Sequence, residues 1–338
     1  MRKIFALLLA AVLLIGLLAG CGKETAAPET EPTEPAPTQP PEEAGVLKVL
    51  TLGHSLAIDC GHMLALICDA EGFKEVKVGT LYYSGCPLGK HVQFMESDAP
   101  EYGLYLSSTE DAGTPPTIMK DVTMRQALTF DYWDVIVMQG GVFEIAEADT
   151  YTNGNIQKIQ EFVNANKRNP LAIFAWHMPW APPTDNTLRD TYPYDNNSYY
   201  TNYLLYGDNR GILYDAITGC VRDHILTDDS FEFLIPSGTA IENALSSYLE
   251  EKDLHRDYVH ASDLSRVIAA YVWYCRLAGV EQLEQIKLDT VPTVFFRSRK
   301  DATDWVLTDG EKALILESVN NALKEPLKMT QSQFTTAP

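Results

Sequence analysis

The chain has 338 residues, 46 acidic against 26 basic side chains, and a formal net charge of −20 at pH 7. Setting aside the two cations near the start and the excess of acid in the proline-rich stretch after it leaves about −17 for the remainder, a charge that repels phosphate backbones and anionic lipid, so nucleic-acid binding is excluded as a primary role. Six cysteines without a C-x-x-C pair exclude a zinc ribbon.

Arg2 and Lys3 precede an apolar run at 4–18 that ends in Leu18-Ala19-Gly20-Cys21. A charged start, an apolar centre and small residues in that order read as a secretory signal. The run is shorter than the roughly 20 residues a spanning helix requires. Residues 1–20 are therefore expected to be removed, leaving Cys21 as the new N-terminus. Over 22–45 the chain carries Pro28, Pro32, Pro35, Pro37, Pro40 and Pro41 among Glu, Thr and Ala, with no large apolar side chain, so 21–45 reads as an extended tether. Residues 46–338 show neither a second linker nor a repeat and read as one domain.

Within that domain, 46–52 is an apolar, β-favouring run that stops at Gly53, the pattern of a buried parallel strand entering a sharp turn. Helical spacing over 62–73 ends at Gly72. Further strands are expected at 76–82, 134–138, 171–176 and 231–235, and helices at 156–165, 240–249, 264–277 and 311–323. Strands alternating with helices predict a three-layer α/β/α sandwich with a mostly parallel sheet, with its site at the carboxyl ends of the strands.

Two short motifs carry chemistry. Gly53-His54-Ser55 stands between the first strand and a helix, where a serine hydroxyl projects from the rim of the sheet and helix-opening N–H groups face developing negative charge. A serine there is also a common helix cap. Asp257-Tyr258-Val259-His260 precedes another helix, and two intervening residues let one turn hold carboxylate and imidazole together, so that the aspartate orients the histidine and the histidine takes a proton from serine.

In this order and at these distances, Gly53-His54-Ser55 resembles the first block of the SGNH (GDSL-like) hydrolases, and Asp257-x-x-His260 resembles their last block. Together with the Gln139 segment, Pro236-Ser237-Gly238-Thr239-Ala240 and Ala269-Ala270-Tyr271, the chain is similar to a bacterial branch of exported members. Leu18-Ala19-Gly20-Cys21 likewise resembles the lipobox of bacterial lipoproteins, which implies a lipid on Cys21 and a protein anchored in the membrane outside the cytoplasm. The SGNH resemblance implies a serine esterase with Ser55, Asp257 and His260 as catalytic residues and needing no cofactor or metal. Its oxyanion hole would comprise the N–H of Ser55, the N–H of Gly85 (Gly89 being a nearby rival) and an amide. The family commonly places asparagine in the third block, whereas this chain has Gln139; it also has His54 where aspartate is usual.

His54, Trp176, His177 and Trp180 are expected to line the substrate site, with Tyr192, Tyr194, Tyr199 and Tyr200 crowding nearby. An aromatic, hydrogen-bonding surface of that kind suits an acylated carbohydrate, with acetyl a simple acyl group for removal; another small ester is also compatible. Two alternatives stay open: a non-catalytic lipoprotein that binds a glycan or solute, and a metal hydrolase using His255, Asp257 and His260.

Overall fold

The computed structural model describes residues 45–184, 188 and 209–336. The signal, Cys21, most of the tether and the tyrosines at 192–200 lie outside them. The contacts of Gly45–Pro338 form one unit.

Seven strands make the central sheet. In chain order they are β1 (Leu47–Gly53), β2 (Val76–Tyr82), β3 (Tyr102–Ser108), β4 (Thr117–Val122), β5 (Val135–Met138), β6 (Ile173–His177) and β7 (Phe231–Ile235). In space they run β4-β3-β2-β1-β5-β6-β7, with every pairing from β2 to β7 parallel and β3 and β4 added antiparallel at one edge. The edge hairpin was not expected from the sequence, because 102–108 is only half-buried and 117–122 is largely exposed, so neither carries the apolar run of a central strand.

Period-two alternation sends side chains to both faces. Val49, Val78, Val137, Ala175 and Ile235 face one core, and Leu50, Leu52, Ile136, Met138 and Trp176 face the other. The first core is covered by α1 (Ser55–Glu71), α7 (Ser237–Leu245), α9 (Asp263–Ala278) and α10 (Asp309–Lys324). The second is covered by α2 (Leu88–Glu96), α3 (Met124–Phe130), α5 (Asn155–Asn166) and α6 (Arg210–Cys220). Two short helices, α4 (Ala148–Thr152) and α8 (Glu251–Leu254), complete the numbering. The expected three-layer α/β/α sandwich is therefore present.

Helix α1 begins at Ser55, seven residues before the expected 62, because Asp59 and Gly61 interrupt the apolar pattern of its first turns. Both are buried there: Asp59 is ion-paired, and the Gly61 position faces Thr80 of β2. Leu56, Met63, Leu64 and Ile67 of this helix are completely buried, each worth roughly 1.5–3 kcal/mol relative to exposure. That burial fixes the helix on the sheet, and with it the residue at its first position. Gly72 ends it in the left-handed region at φ 70°, where a side chain would be strained.

Among the described residues no helix is long and apolar enough to cross a membrane.

Candidate active site

Parallel register brings the carboxyl ends of β1, β5 and β6 side by side. Leu52 pairs with Met138, and Met138 with Trp176, so the residues that follow them, Gly53, Gln139 and His177, meet at one rim. The chain then turns abruptly from β1 into α1. His54 caps that helix in extended conformation, its Nδ1 accepting from the N–H of Leu56 at 3.4 Å while its Nε2–H donates to the carbonyl of Gly140 at 2.9 Å. Burial, more than any other influence, brings the His54 pKa down to about 4, so the ring is neutral at working pH.

Ser55 is the first residue of α1, so its N–H has no partner inside the helix. Its hydroxyl donates to Nε2 of His260 at 2.8 Å. On the other side of that ring, Nδ1–H donates to both oxygens of Asp257, at 2.9 and 2.8 Å. Asp257 also accepts the backbone N–H groups of Val259 and His260, at 3.0 and 2.8 Å. Burial pushes the Asp257 carboxyl upward, but the bond and charge of His260 and these two N–H groups outweigh it and hold the pKa at about 2. Groups 205 residues apart in sequence thus form one hydrogen-bonded line from hydroxyl to imidazole to carboxylate. This is the geometry for transferring a proton from serine as it attacks a carbonyl.

The turn that carries Asp257 and His260 is held on several sides. His255 and Ala261 bridge its ends, Arg256 N–H donates to His260 O at 3.0 Å, and the indole N–H of Trp180 donates to Val259 O at 2.8 Å. Arg256 contacts both oxygens of Asp59 at 3.0 Å, and the completely buried Arg266 lies 3.4 Å from the same carboxylate and 3.1 Å from Asp263. Asp59 lies one helical turn beyond Ser55, so this buried charge cluster ties the histidine turn to the nucleophile's helix.

Gly85 sits at φ 60° in a turn closed by Cys86 N–H to Tyr83 O at 3.3 Å, and Tyr83 N–H reaches Gly53 O at the same distance. The turn is thereby attached to the end of β1. Gly89, the alternative, is already inside α2 and faces Asn155. Gln139 is buried, with its Oε1 accepting from Nδ1–H of His177 at 2.8 Å. Its Nε2 has no hydrogen-bond partner among the described residues and packs against Gly53, where a Cβ would approach it to 2.5 Å. Serine, turn glycine and amide are thus gathered around the end of β1.

The family model described as a domain of unknown function (DUF4886) matches residues 48–303. The chain belongs to the DUF4886 family. A crystal structure of a DUF4886 protein from Bacteroides uniformis is 23% identical, covers 86% of this chain and 100% of its own, and superposes with a TM-score of 0.68. More distant is a Slackia heliotrinireducens protein provisionally assigned to the SGNH hydrolases, at 16% identity, 68% and 97% coverage and a TM-score of 0.40. A Clostridium thermocellum family 3 carbohydrate esterase stands at 12%, 70% and 98%, and 0.36. Comparison with curated proteins finds no match.

In this DUF4886 chain the four residues expected to line the substrate site do not do so. His54, His177 and Trp180 are completely inaccessible and Trp176 is 1% exposed. His54 caps α1, His177 holds Gln139, and Trp180 braces the Asp257–His260 turn. Trp176 points into the opposite core, edge-on to Phe231 at 5.5 Å, because alternation along β6 sends it away from the face that carries His177. Proximity to the end of a strand was a sound guide to location and a poor one to exposure. Among the described residues, two half-buried aromatics that the sequence did not single out stand beside the triad. Tyr258 is edge-on to His260 at 6.1 Å and stacks on Phe143 at 6.5 Å with 4° between planes; both are half-buried.

His255 does not join Asp257 and His260 as a third ligand. It is buried, with Nδ1–H donating to Glu251 O at 3.1 Å, while Asp257 is engaged by His260. Among the described residues no cluster of His, Cys, Asp and Glu is arranged to hold a metal ion. The five described cysteines, Cys60, Cys68, Cys86, Cys220 and Cys275, are free, buried thiols.

Proposed function

We propose that this DUF4886 protein is a serine esterase that removes acyl groups, acetyl in the simplest case, from envelope or extracellular carbohydrate, and that lipid on Cys21 anchors it outside the cytoplasm. The observation that carries the reading is the 2.8 Å contact between Ser55 Oγ and His260 Nε2, continued to Asp257. In this mechanism the Ser55 oxygen attacks the ester carbonyl carbon as its proton passes to His260 Nε2. Negative charge collects on the carbonyl oxygen, which the N–H groups of Ser55 and Gly85 and the amide of Gln139 stabilise. Collapse breaks the bond to the alcohol, which leaves with the proton from His260. Water then repeats the sequence on the acyl-enzyme and releases the acid. Asp257, held ionised, keeps the imidazole in the tautomer that presents a bare Nε2 to serine.

Carbohydrate as the alcohol is supported by the stacked Phe143 and Tyr258 beside His260, since aromatic faces pack against the apolar faces of sugar rings. The test is turnover of aryl acetates and acetylated sugars by the purified protein, with a serine-reactive phosphonate as covalent probe. We expect acetate release and phosphonate on Ser55, both lost in Ser55→Ala and in His260→Ala, with little further loss in the double variant because the residues act as a unit. Full activity of Ser55→Ala overturns the proposal.

A further inference from the structure

Gln139 presents a choice that the sheet alone does not make. A primary amide can turn over about its last bond, exchanging oxygen and nitrogen at almost no steric cost. In one orientation it offers N–H donors toward Gly53, two residues before the nucleophile; in the other it offers a carbonyl oxygen. The first stabilises an oxyanion and the second repels it, so the orientation of this buried side chain decides whether the site has a third donor.

The atom bonded to Gln139 Oε1 is Nδ1 of His177, at 2.8 Å. Complete burial brings the His177 pKa down to about 3, so the ring is neutral and has a single N–H. With that hydrogen on Nδ1, Gln139 must turn its oxygen to His177 and its nitrogen to Gly53. With the hydrogen on Nε2, the bare Nδ1 would call for a donor and the amide would turn over. The far side of the ring therefore matters. There, Nε2 faces Sγ of Cys60 at 3.9 Å, a thiol that is completely buried on α1, five residues beyond Ser55. Burial, helped by the neighbouring Asp59 carboxylate, pushes the Cys60 pKa well above the ordinary thiol value, so its proton stays on sulfur and is available to donate. Trp273 packs edge-on against the His177 ring at 5.0 Å.

We infer that Cys60 and His177 are positioning residues for the oxyanion hole: the Cys60 thiol donates to His177 Nε2, this holds the ring as the Nδ1–H tautomer, and His177 in turn fixes the Gln139 amide with its nitrogen toward the reacting centre. The unpartnered Nε2 of Gln139, buried beside Gly53, is the free end of this relay. A buried donor left without a partner is costly, and in the esterase reading the carbonyl oxygen of an ester attacked by Ser55 supplies one. The relay starts on the helix that carries the nucleophile, crosses the end of β6 and returns at the end of β5. It rests on the esterase reading for its purpose, though the tautomer itself does not depend on turnover.

Two measurements test it on the full chain. The chain has seven histidines. Nitrogen-15 NMR of the protein labelled on histidine, with His177 assigned by loss of its signals in His177→Asn, should show hydrogen on Nδ1 and a bare Nε2. Cys60→Ser, which keeps a donor, should preserve that tautomer, and Cys60→Ala should lose it or mix it. An Nε2–H tautomer in the parent protein overturns the inference whether or not the protein hydrolyses anything. The second measurement is a kinetic cycle on an aryl acetate. His177→Leu should lower kcat about a hundredfold, close to the loss from Gln139→Ala, with KM little changed. In the Gln139→Ala background it should cost almost nothing more, because its effect passes through that amide. His177→Asn, whose Nδ2 replaces Nδ1 as donor, should recover most of kcat. Equal losses from His177→Leu in both backgrounds would mean a merely structural histidine and would overturn the relay. If the parent protein hydrolyses no ester, the esterase reading fails by itself, and the NMR result still decides the tautomer.

Discussion

Arg256 places one guanidinium nitrogen 3.0 Å from each oxygen of Asp59, joining residues 197 positions apart and fastening the acid–histidine turn to the helix that begins with Ser55. Asp59 is 2% exposed and also faces Arg266, which is not exposed at all. Breaking a buried ion pair by removing one partner leaves the other charge uncompensated, which commonly costs about 3–5 kcal/mol. Asp59→Ala should therefore lower the unfolding free energy by that order in denaturant titrations, with the loss larger than for exposed acids such as Asp301. Arg256→Met, which removes the half-buried cation and retains packing, should destabilise less and should lower kcat by loosening the turn. An unchanged denaturation midpoint in Asp59→Ala would show that the cluster does not hold the site together.

A second prediction follows from Asp257. Its carboxyl titrates at about 2 in the folded protein, below the roughly 3.9 of an unfolded aspartate. A depressed carboxylate contributes stability that is fully present above the unfolded value and is lost as pH falls through the folded one. The window is therefore from about pH 4 down to about pH 2, and the contribution at neutral pH is at most about 2 kcal/mol for a group partly open to solvent. The difference in stability between the parent protein and Asp257→Asn should shrink as pH is lowered through that window. A difference that stays constant from pH 6 to pH 2 would contradict it.

His54 provides acid sensitivity at higher pH. Its folded pKa of about 4 lies below the ordinary histidine value, chiefly because it is buried. The unfolded chain then binds the extra proton first, so stability rises with pH between about 4 and about 6.5 and falls as pH drops through that range. His177 and His91, each brought down to about 3 by burial, add to the same slope. His54→Asn retains a helix-capping side chain and removes one titrating ring, so its stability should vary less steeply across this interval. An equal or steeper slope in the variant would assign the acid sensitivity elsewhere.

What the sequence disclosed and what it concealed have a common cause. Ser55 and the Asp257–His260 pair are legible because each lies at a junction marked locally, by an apolar run ending in glycine or by a polar turn before a helix. The alternating strands and helices are legible for the same reason. Exposure is different. Trp176 and His177 are neighbours in sequence, yet one enters the far core and the other supports Gln139, a distinction made by strand phase and by the helices laid over each face. The Asp59–Arg256 pair and the Cys60–His177 contact bridge 197 and 117 positions, and no local pattern encodes such partners. Asp59 and Gly61 even obscured the first turns of α1, since residues buried for electrostatic and packing reasons look, in one dimension, like an interruption.

The proposed anchor has its own test. Cys21→Ser should leave the chain unprocessed or shift it out of the membrane fraction, because a hydroxyl cannot replace the thiol that accepts the lipid. Lipid labelling and fractionation of the variant check this, and normal labelling would argue against an anchor at Cys21.

Gly53 offers the most direct probe of how closely the oxyanion site is fitted. A methyl group there would lie 2.5 Å from Gln139 Nε2, 3.0 Å from the Ala57 Cβ and 3.2 Å from Gln139 Cδ, all on groups that are buried. Ala57 belongs to the first turn of α1 and cannot retreat without moving Ser55. The amide of Gln139 is the softer obstacle, so Gly53→Ala should displace it from the nucleophile, at an overpacking cost of about 1–3 kcal/mol in stability. Loss of one donor from an oxyanion hole costs about a hundredfold to a thousandfold in turnover. Gly53→Ala should show a loss of that order in kcat on an aryl acetate, with Ser55 still open to the phosphonate probe at a reduced rate. Combining it with Gln139→Ala provides the decisive comparison. Removing the long side chain relieves the clash, so the double variant should be more stable than Gly53→Ala alone and should turn over no more slowly than Gln139→Ala. If Gly53→Ala retains full activity, Gln139 does not serve the oxyanion from beside Gly53, and stabilisation must come from the N–H groups of Ser55 and Gly85.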